Sequence, residues 1–474
     1  MAVIVSGMPD QYYPNDNRLS GGQCINPYTG VADPAWPAHS IYDIHERIES
    51  SWTAHLQWKQ RAPSERAATL NKLGELLRER KLEYAQLIAS EMGKPIQEGI
   101  SEVEKCASAC DYYSSPEIST FLEQEVKTDY ARSYTRLEPL GVILLIMPWN
   151  FPFWQVFRAA LPALLVGNGI ILKHAPNVPS CAQALESFFR EVDMPPHLFA
   201  ALMIPNSDVS VAISHPLIQG ISVTGSTKTG KAVASTAGSY LKKTVLELGG
   251  SDPYVVLADA DLDLAARECV QGRMINGGQS CIAAKRFLVD ASIAEEFTEK
   301  VKVLMQEYAM GDPLNPKTRL GPMAREDLRD ALHQQVHYSI KHGARLIMGG
   351  EIPNTPGWFY PPTILADVKP GMPVFDEETF GPVAAICPFR NEDEAWELAG
   401  RSSYGLGAAI FSRNEERAEQ LAKQHLRAGS LFINTFVRSD PRLPFGGTKQ
   451  SGYGRELGTV ALHEFANLQT IVRK

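Results

Sequence analysis

What the sequence lacks narrows its chemistry first. Its seven cysteines, Cys24, Cys106, Cys110, Cys181, Cys269, Cys281 and Cys387, are odd in number and scattered, with no CxxC pair and no Cys/His cluster. Neither a disulfide framework nor a zinc centre is supported, and no metal is expected. There is no Lys/Arg block, and the formal net charge is −8, so nucleic acid and anionic membrane surfaces are not expected partners. Long apolar runs are missing too: residues 141–149 and 159–166 fall short of a membrane span and are bounded or broken by proline. The first residues, Met1 to Gly7, have no basic region and too short an apolar run for a signal peptide. A reduced, cytoplasmic protein is the expectation. No GxGxxG fingerprint occurs, and no histidine lies near Cys281 in sequence.

What remains is an ordinary soluble composition, 44% apolar and 21% charged, spread over 474 residues. That length exceeds a single ordinary core and predicts two or more domains. Residues 1–37 read as turns with short strands, followed by helical periodicity over 41–62, 64–92 and 96–110. Residues 125–140 carry Tyr130, Tyr134 and Thr135 among charges, the pattern of an exposed hairpin suited to pairing with another chain. From Gly141 apolar strands alternate with helices. Strands are predicted at 142–147, 169–172, 201–204, 220–224 and 244–248, with helices at 153–165, 182–191, 209–214 and 227–237. A second cycle starts at Tyr254, with strands at 254–257, 286–289, 345–348, 382–387, 407–411 and 429–433. Such βαβα alternation implies doubly wound α/β sheets, two domains joined near 249–253.

The chemistry gathers around Asn276-Gly-Gly-Gln-Ser-Cys281-Ile-Ala-Ala-Lys285-Arg286. Small residues on both sides of Cys281 let backbone N–H groups and a ligand approach the sulfur. Lys285 and Arg286 would favour its thiolate if they lie beside it. A buried structural cysteine explains the same residue taken alone. At the end of an apolar strand, Met147-Pro148-Trp149-Asn150-Phe151-Pro152 holds an amide between two prolines, a suitable oxyanion donor or simply a turn with a cap. Glu247-Leu248-Gly249-Gly250 sets a carboxylate in an apolar strand, which is costly unless it is paired or functional. Thr224-Gly225-Ser226-Thr-Lys-Thr-Gly230 opens a helix whose N–H groups suit a phosphate, or only a cap. Glu377-Glu378-Thr379-Phe380 presents acids for capping or for ribose hydroxyls.

Taken together and in order, PWNFP, Lys173 at a strand end, GST-x-x-G, ELGG, GQSC, EETFGP and the late Pro444-Phe445-Gly446-Gly447-x-Lys449-x-Ser451-Gly452 resemble the NAD(P)-dependent aldehyde dehydrogenase superfamily. Residues 154–158, Lys173-His174-Ala175-Pro176-Asn177 and 247–252 are most similar to succinate-semialdehyde dehydrogenases of the Sad type. The resemblance implies two doubly wound α/β domains plus a small β oligomerisation arm. Residues 1–124 and 141–248 would bind the cofactor, 249–440 would form the catalytic domain, and 125–140 with 456–474 would form the arm of a homodimer or homotetramer. It implies Cys281 as nucleophile, the Asn150 amide and the Cys281 N–H as oxyanion donors, and Glu247 as the base that activates water. Pro148, Trp149, Lys173, His174, Pro176, Gly225, Ser226, Gly230, Leu248, Glu378 and Phe380 would line the cofactor site. Many members carry a glutamate where Pro176 stands; without it, NAD or NADP is expected, NAD at least as good. For substrate, Trp154 and Arg158 lie one helical turn apart after Asn150, and the arginine suits a carboxylate tail. Arg438 and Ser439 would complete that clamp, and an ion pair inside the protein is the competing role for Arg158. The implied substrate is succinate semialdehyde or a similar ω-carboxy aldehyde such as glutarate semialdehyde. A cofactor-free cysteine hydrolase or acyltransferase, and a non-enzymatic protein on the same scaffold, are the rivals.

Overall fold

The computed structural model describes residues 20–474; the leader reading at Met1 to Gly7 lies outside them. Two large sheets, one of three strands and one of two (Ser20–Gly22 with Trp36–Pro37) make up the described architecture. The six-stranded sheet runs Gly452–Tyr453, Lys243–Glu247, Ile218–Thr224, Val142–Met147, Gly169–His174, Phe199–Ala201. Every pairing in it is parallel except the first, where Gly452 faces Glu247 antiparallel. The seven-stranded sheet runs Arg345–Met348, Thr363–Ala366, Val383–Phe389, Ala284–Asp290, Asp252–Val256, Gly407–Phe411, Ser430–Ile433, parallel apart from its first pair.

The apolar runs sit where burial on both faces demands them. Val142–Met147 is buried at all six positions because parallel strands flank it and helices cover both sides of the sheet. Trp154–Val166 is buried along its whole length, as a helix without a polar face must be. Its C-cap, Gly167, takes the left-handed conformation at φ 119°. The expected alternation is present throughout, with shifts of up to three residues at element ends; the strand expected at 201–204 is Phe199–Ala201 and the helix expected at 182–191 is Pro179–Phe189. Thr363–Ala366 was not foreseen as a strand; four residues behind Pro361-Pro362 carry too little pattern to register. Nor was the Gly452–Tyr453 edge, which returns from the C-terminal segment to pair beside Glu247.

The third sheet has the order Ala466–Arg473, Arg132–Pro139, Glu123–Glu125. The expected 125–140 hairpin is thus joined by the last strand, paired antiparallel along its full length. Leu468 and Val472 project from that outer strand into solvent. Among the described residues no helix is long and apolar enough to cross a membrane.

Candidate active site

Four strands of the six-stranded sheet deliver candidate residues from their carboxyl ends, where ligand sites of parallel sheets lie. Met147 leads into Pro148, Trp149 and Asn150; Lys173 and His174 end the next strand; Thr224 leads into Gly225 and Ser226; Glu247 ends the fourth. Cys281 comes from the other sheet, just before its Ala284–Asp290 strand. Asn276, Gly277 and Gly278 turn the chain there with φ of 55°, 59° and 75°. A Cβ on Gly278 would stand 2.0 Å from the Gly381 carbonyl, so only glycine allows that approach.

Cys281 is half-buried, and burial pushes its thiol up to about 12, opposed by Arg158 and Lys285. Lys285 acts through space: its Nζ donates to the Ser280 and Cys281 carbonyls, 2.8 and 2.6 Å away, and pairs with Glu378 at 3.4 Å. Arg286 turns away, donating to the Ser251, Leu398 and Ala399 carbonyls, so of the two basic neighbours only Lys285 acts on the sulfur. Strand alternation separates the two.

Asn150 is buried, and its Nδ2 donates to the Gln279 carbonyl at 3.0 Å, two residues before Cys281. One N–H of that amide is engaged; the second is available for an oxyanion. Glu247 is 1% exposed, and neither carboxylate oxygen has a hydrogen-bond partner among the described residues. Burial holds its pKa well above the usual carboxylate range, with Arg158 opposing.

Most of the cofactor candidates follow the carboxyl ends of those strands. Ser226 caps the Thr227–Ser239 helix, its Oγ accepting from the Thr229 N–H at 3.2 Å. A Cβ at Gly225 would meet nothing closer than 3.9 Å, an open cradle at the helix start, whereas one at Gly230 would strike Leu248 at 2.4 Å. Lys173 is buried, held by Asn206 Oδ1 at 2.7 Å, and burial lowers it to about 8. His174 accepts from the Ala175 N–H at Nδ1 and therefore donates from Nε2 to the Pro152 carbonyl; burial lowers it to about 4. Its ring is neutral with both nitrogens engaged, so it offers nothing to a phosphate. Pro176 is half-covered, its carbonyl accepting from the Gln23 N–H. Glu378 accepts from the Gly250 N–H at 3.0 Å, and Phe380 stands edge-on to Trp149 with centroids 5.8 Å apart.

Arg158 departs most from expectation. It is buried and ion-paired with Glu456, its Nη2 donates to Thr224 Oγ1 at 3.2 Å, and its plane lies 4.6 Å from the centre of the Phe445 ring. Ser222 donates to the other oxygen of Glu456 at 2.9 Å. Its Nε and Nη2 are thus engaged inside the protein, the competing role named for Arg158. Arg438 is exposed over Phe436. Ser439 is buried and accepts from Lys105 Nζ at 2.6 Å.

Residues 14–471 match the profile of the aldehyde dehydrogenase family. The chain belongs to that family. It is 45% identical to the succinate semialdehyde dehydrogenase [NAD(P)+] Sad of Escherichia coli strain K12, over 94% of this chain and 96% of that one. It is 43% identical to a probable succinate-semialdehyde dehydrogenase [NADP(+)] of Synechocystis, over 94% and 98%. The crystal structure of succinic semialdehyde dehydrogenase from Streptococcus pyogenes with NADP+ superposes with a TM-score of 0.92 at 36% identity, covering 95% of this chain and 99% of that one.

In this aldehyde dehydrogenase the helix Ile96–Ser114 and the turn before it supply residues that sequence reasoning passed over. Lys94 and Glu102 form a fully buried ion pair. Lys94 Nζ donates to the Asn150 carbonyl at 3.0 Å, and Glu102 Oε1 accepts the Phe153 and Trp154 N–H groups at 2.9 and 3.0 Å. Glu98 accepts the Asn276 N–H at 2.7 Å, and burial raises it to about 7. Glu98, Glu102 and Lys105 recur at i, i+4 and i+7, one helix face; that spacing was the available signal. Asn177, one residue past Pro176, has both amide atoms without a partner. The trio His333, His337 and Glu351 brings possible metal ligand atoms within 4.8 Å, apart from the residues above.

Proposed function

We propose that the enzyme oxidises succinate semialdehyde, or a closely similar ω-carboxy aldehyde, to the dicarboxylate. The observation that carries this is the convergence of Cys281, Asn150 and Glu247 in a chain 45% identical to a succinate semialdehyde dehydrogenase over nearly its whole length. Cys281 attacks the aldehyde carbon as a thiolate and forms a thiohemiacetal. The second N–H of Asn150 Nδ2 and the Cys281 backbone N–H receive the oxyanion. When bound, the oxidised nicotinamide supplies the hydride acceptor. Glu247 then takes a proton from water, which attacks the Cys281 thioester and releases the acid. A carboxyl whose pKa is raised by burial suits that step, being basic enough to act near neutrality.

The six-stranded sheet, with residues 1–124 and 141–248, is our proposed cofactor-binding domain, and 249–440 the catalytic one. The fit rests on the Gly225 cradle before a capped helix and on Asn177, four residues after Lys173, whose unpartnered amide suits ribose hydroxyls. Pro148 and Trp149 would wall the nicotinamide side with Phe380, Leu248 would pack beneath, and Glu378 would take ribose. Dual use, with NAD at least as good as NADP, is supported by Lys173, which burial lowers to about 8, and by His174, which burial keeps uncharged. The exposed outer strand Ala466–Arg473 supports a homodimer or homotetramer built by strand pairing. Seven free thiols, six of them buried, suit a reducing cytoplasm.

The test is a panel of aldehydes of graded length, with and without a terminal carboxylate, assayed with both cofactors. The four-carbon ω-carboxy aldehyde should give the highest kcat/KM. Aldehyde oxidation by Cys281→Ala, or a strong preference for uncharged aldehydes, would refute the reading.

A further inference from the structure

The helix Glu326–Lys341 carries His333 and His337 one turn apart on one face. Both are half-buried, and their ring centres lie 4.1 Å apart. The exposed Glu351 reaches the same place from the turn after strand Arg345–Met348, and one possible ligand atom from each residue lies within 4.8 Å of the others. That turn is fixed. Gly349 and Gly350 take φ of 71° and 89°, the Gly350 N–H donates to Thr363 Oγ1 at 2.9 Å, and a Cβ on Gly349 would stand 2.3 Å from the Pro362 carbonyl. His333 is oriented by the buried Tyr360, whose hydroxyl donates to the Gly350 carbonyl and so accepts from His333 Nδ1, both at 3.3 Å. The lone pair of His333 Nε2 is thereby left for a ligand. His337 Nε2 stands 3.5 Å from Glu351 Oε1, close to the edge of about 3.3 Å between ligands held about 2.0–2.1 Å from one tetrahedral Zn2+. The same nitrogen makes only a long 3.3 Å contact with the Gly350 carbonyl, which an ion displaces at little cost. Glu351 has this histidine as its ion-pair partner, while Arg329, one turn before His333, is held by Glu326 and Asp330 at 3.3 and 2.8 Å.

We propose that His333, His337 and Glu351 bind one divalent cation of the Zn2+ class, with a fourth position left to water. Two imidazoles with a single carboxylate suit Zn2+, Ni2+ or Co2+, whereas Mg2+ and Ca2+ take oxygen ligands. The ion is a clasp rather than a reactant. It ties the Glu326–Lys341 helix to the 349–351 turn, and the same helix holds the segment that carries Glu378: Gln335 Nε2 donates to Glu377 Oε2 at 2.8 Å and to the Glu378 carbonyl at 3.4 Å. Three protein ligands rather than four put the dissociation constant on the order of 1–10 μM.

The experiment titrates the chelator-stripped enzyme with Zn2+ by calorimetry and with Co2+ by absorbance, in wild type, His333→Gln, His337→Gln and Glu351→Gln. Wild type should take up one Zn2+ per chain, and the first equivalent of Co2+ should show visible d–d bands without the near-ultraviolet charge-transfer band of a thiolate ligand. Either histidine variant should weaken binding by at least about 100-fold, the upper end of what losing an outer partner of a metal costs. Glu351→Gln, which keeps a neutral oxygen, should weaken it by about 10-fold. Zn2+ at about 100 μM should raise the wild-type Tm by about 2–4 °C and leave that of His337→Gln unmoved. A wild-type dissociation constant above about 1 mM, equal affinity in all four proteins, or a thiolate band on the first equivalent of Co2+ would each overturn the proposal. Should His333→Gln not fold, because Tyr360 loses its partner, His337→Gln and Glu351→Gln decide: unchanged affinity in both overturns it.

Discussion

Glu102→Ala should damage both stability and catalysis, because the Lys94–Glu102 pair holds the segment that carries Asn150. Both side chains are essentially inaccessible to solvent. Removing the carboxylate strands the Lys94 ammonium, at about 3–5 kcal/mol for a broken buried pair. The Phe153 and Trp154 N–H groups lose their acceptor, adding about 1 kcal/mol each at the lower end of the range for buried unsatisfied donors. A loss near 5 kcal/mol would be a large fraction of a typical folding free energy. Because Lys94 also holds the Asn150 carbonyl, the Asn150 amide should drift, and a displacement of about 1 Å costs on the order of 100-fold in rate. Urea unfolding monitored by tryptophan fluorescence and kcat under saturating aldehyde are the assays. The double variant Lys94→Met/Glu102→Leu should lose less stability than the two single changes summed, since no charge is left unpaired. A Glu102→Ala protein within about 1 kcal/mol of wild type, turning over at the wild-type rate, would refute the reasoning.

Three further outcomes follow from the same contacts. Gly446→Ala places a Cβ 2.6 Å from Glu247 Oε1; deacylation should slow by about 100-fold, so a pre-steady-state burst of reduced cofactor should appear, and unchanged turnover would count against Glu247 as the base. Lys173 is cationic below about 8 and neutral above it, so its attraction for a 2′-phosphate is present at low pH and lost as pH rises; kcat/KM for NADP relative to NAD should fall between pH 7 and 9, and a flat ratio contradicts the assignment. Arg158→Ala removes the charge that most favours ionisation of Cys281 and Glu247, so both pKa values rise, the ascending limb of the pH–rate profile moves to higher pH, and carboxylated and neutral aldehydes both lose; an unmoved limb contradicts this electrostatic role.

Legibility followed distance along the chain. The strand ends bearing Asn150, Lys173 and Glu247 could be read because an apolar run, a turn and a helix start are local patterns. Glu247 was conspicuous as a carboxylate inside such a run. What could not be read were partners brought together by folding. The ion pair of Arg158 could not be read because its partner, Glu456, lies far along the chain. His174 was counted toward the cofactor because its acceptor, the Pro152 carbonyl, belongs to a different strand-to-helix turn. The face Glu98, Glu102 and Lys105 did have a visible period, but charges at helical spacing read as a solvated face unless the helix is known to be enclosed. The edge strand Gly452–Tyr453 consists of two residues and carries no pattern at all.

The site's electrostatics favour an ordered sequence of ionisations. Glu247 is buried and Cys281 half-buried, both find their ionised forms opposed by burial, and each has Arg158 as its largest opposing charge. That guanidinium is already paired with Glu456, whose charge in turn raises Glu247. One partly neutralised cation therefore faces two groups that must each ionise during turnover, and Glu247 itself raises the Cys281 thiol. Two negative charges sharing such a site repel, so ionisation of one disfavours the other. The chemistry removes the conflict in time. While Cys281 is needed as a thiolate, a neutral Glu247 adds no repulsion. Once the sulfur is acylated it carries no charge, and the same Arg158 field becomes available to hold Glu247 as the carboxylate that activates water. Placing Arg158 beside both groups thus serves both half-reactions with one cation.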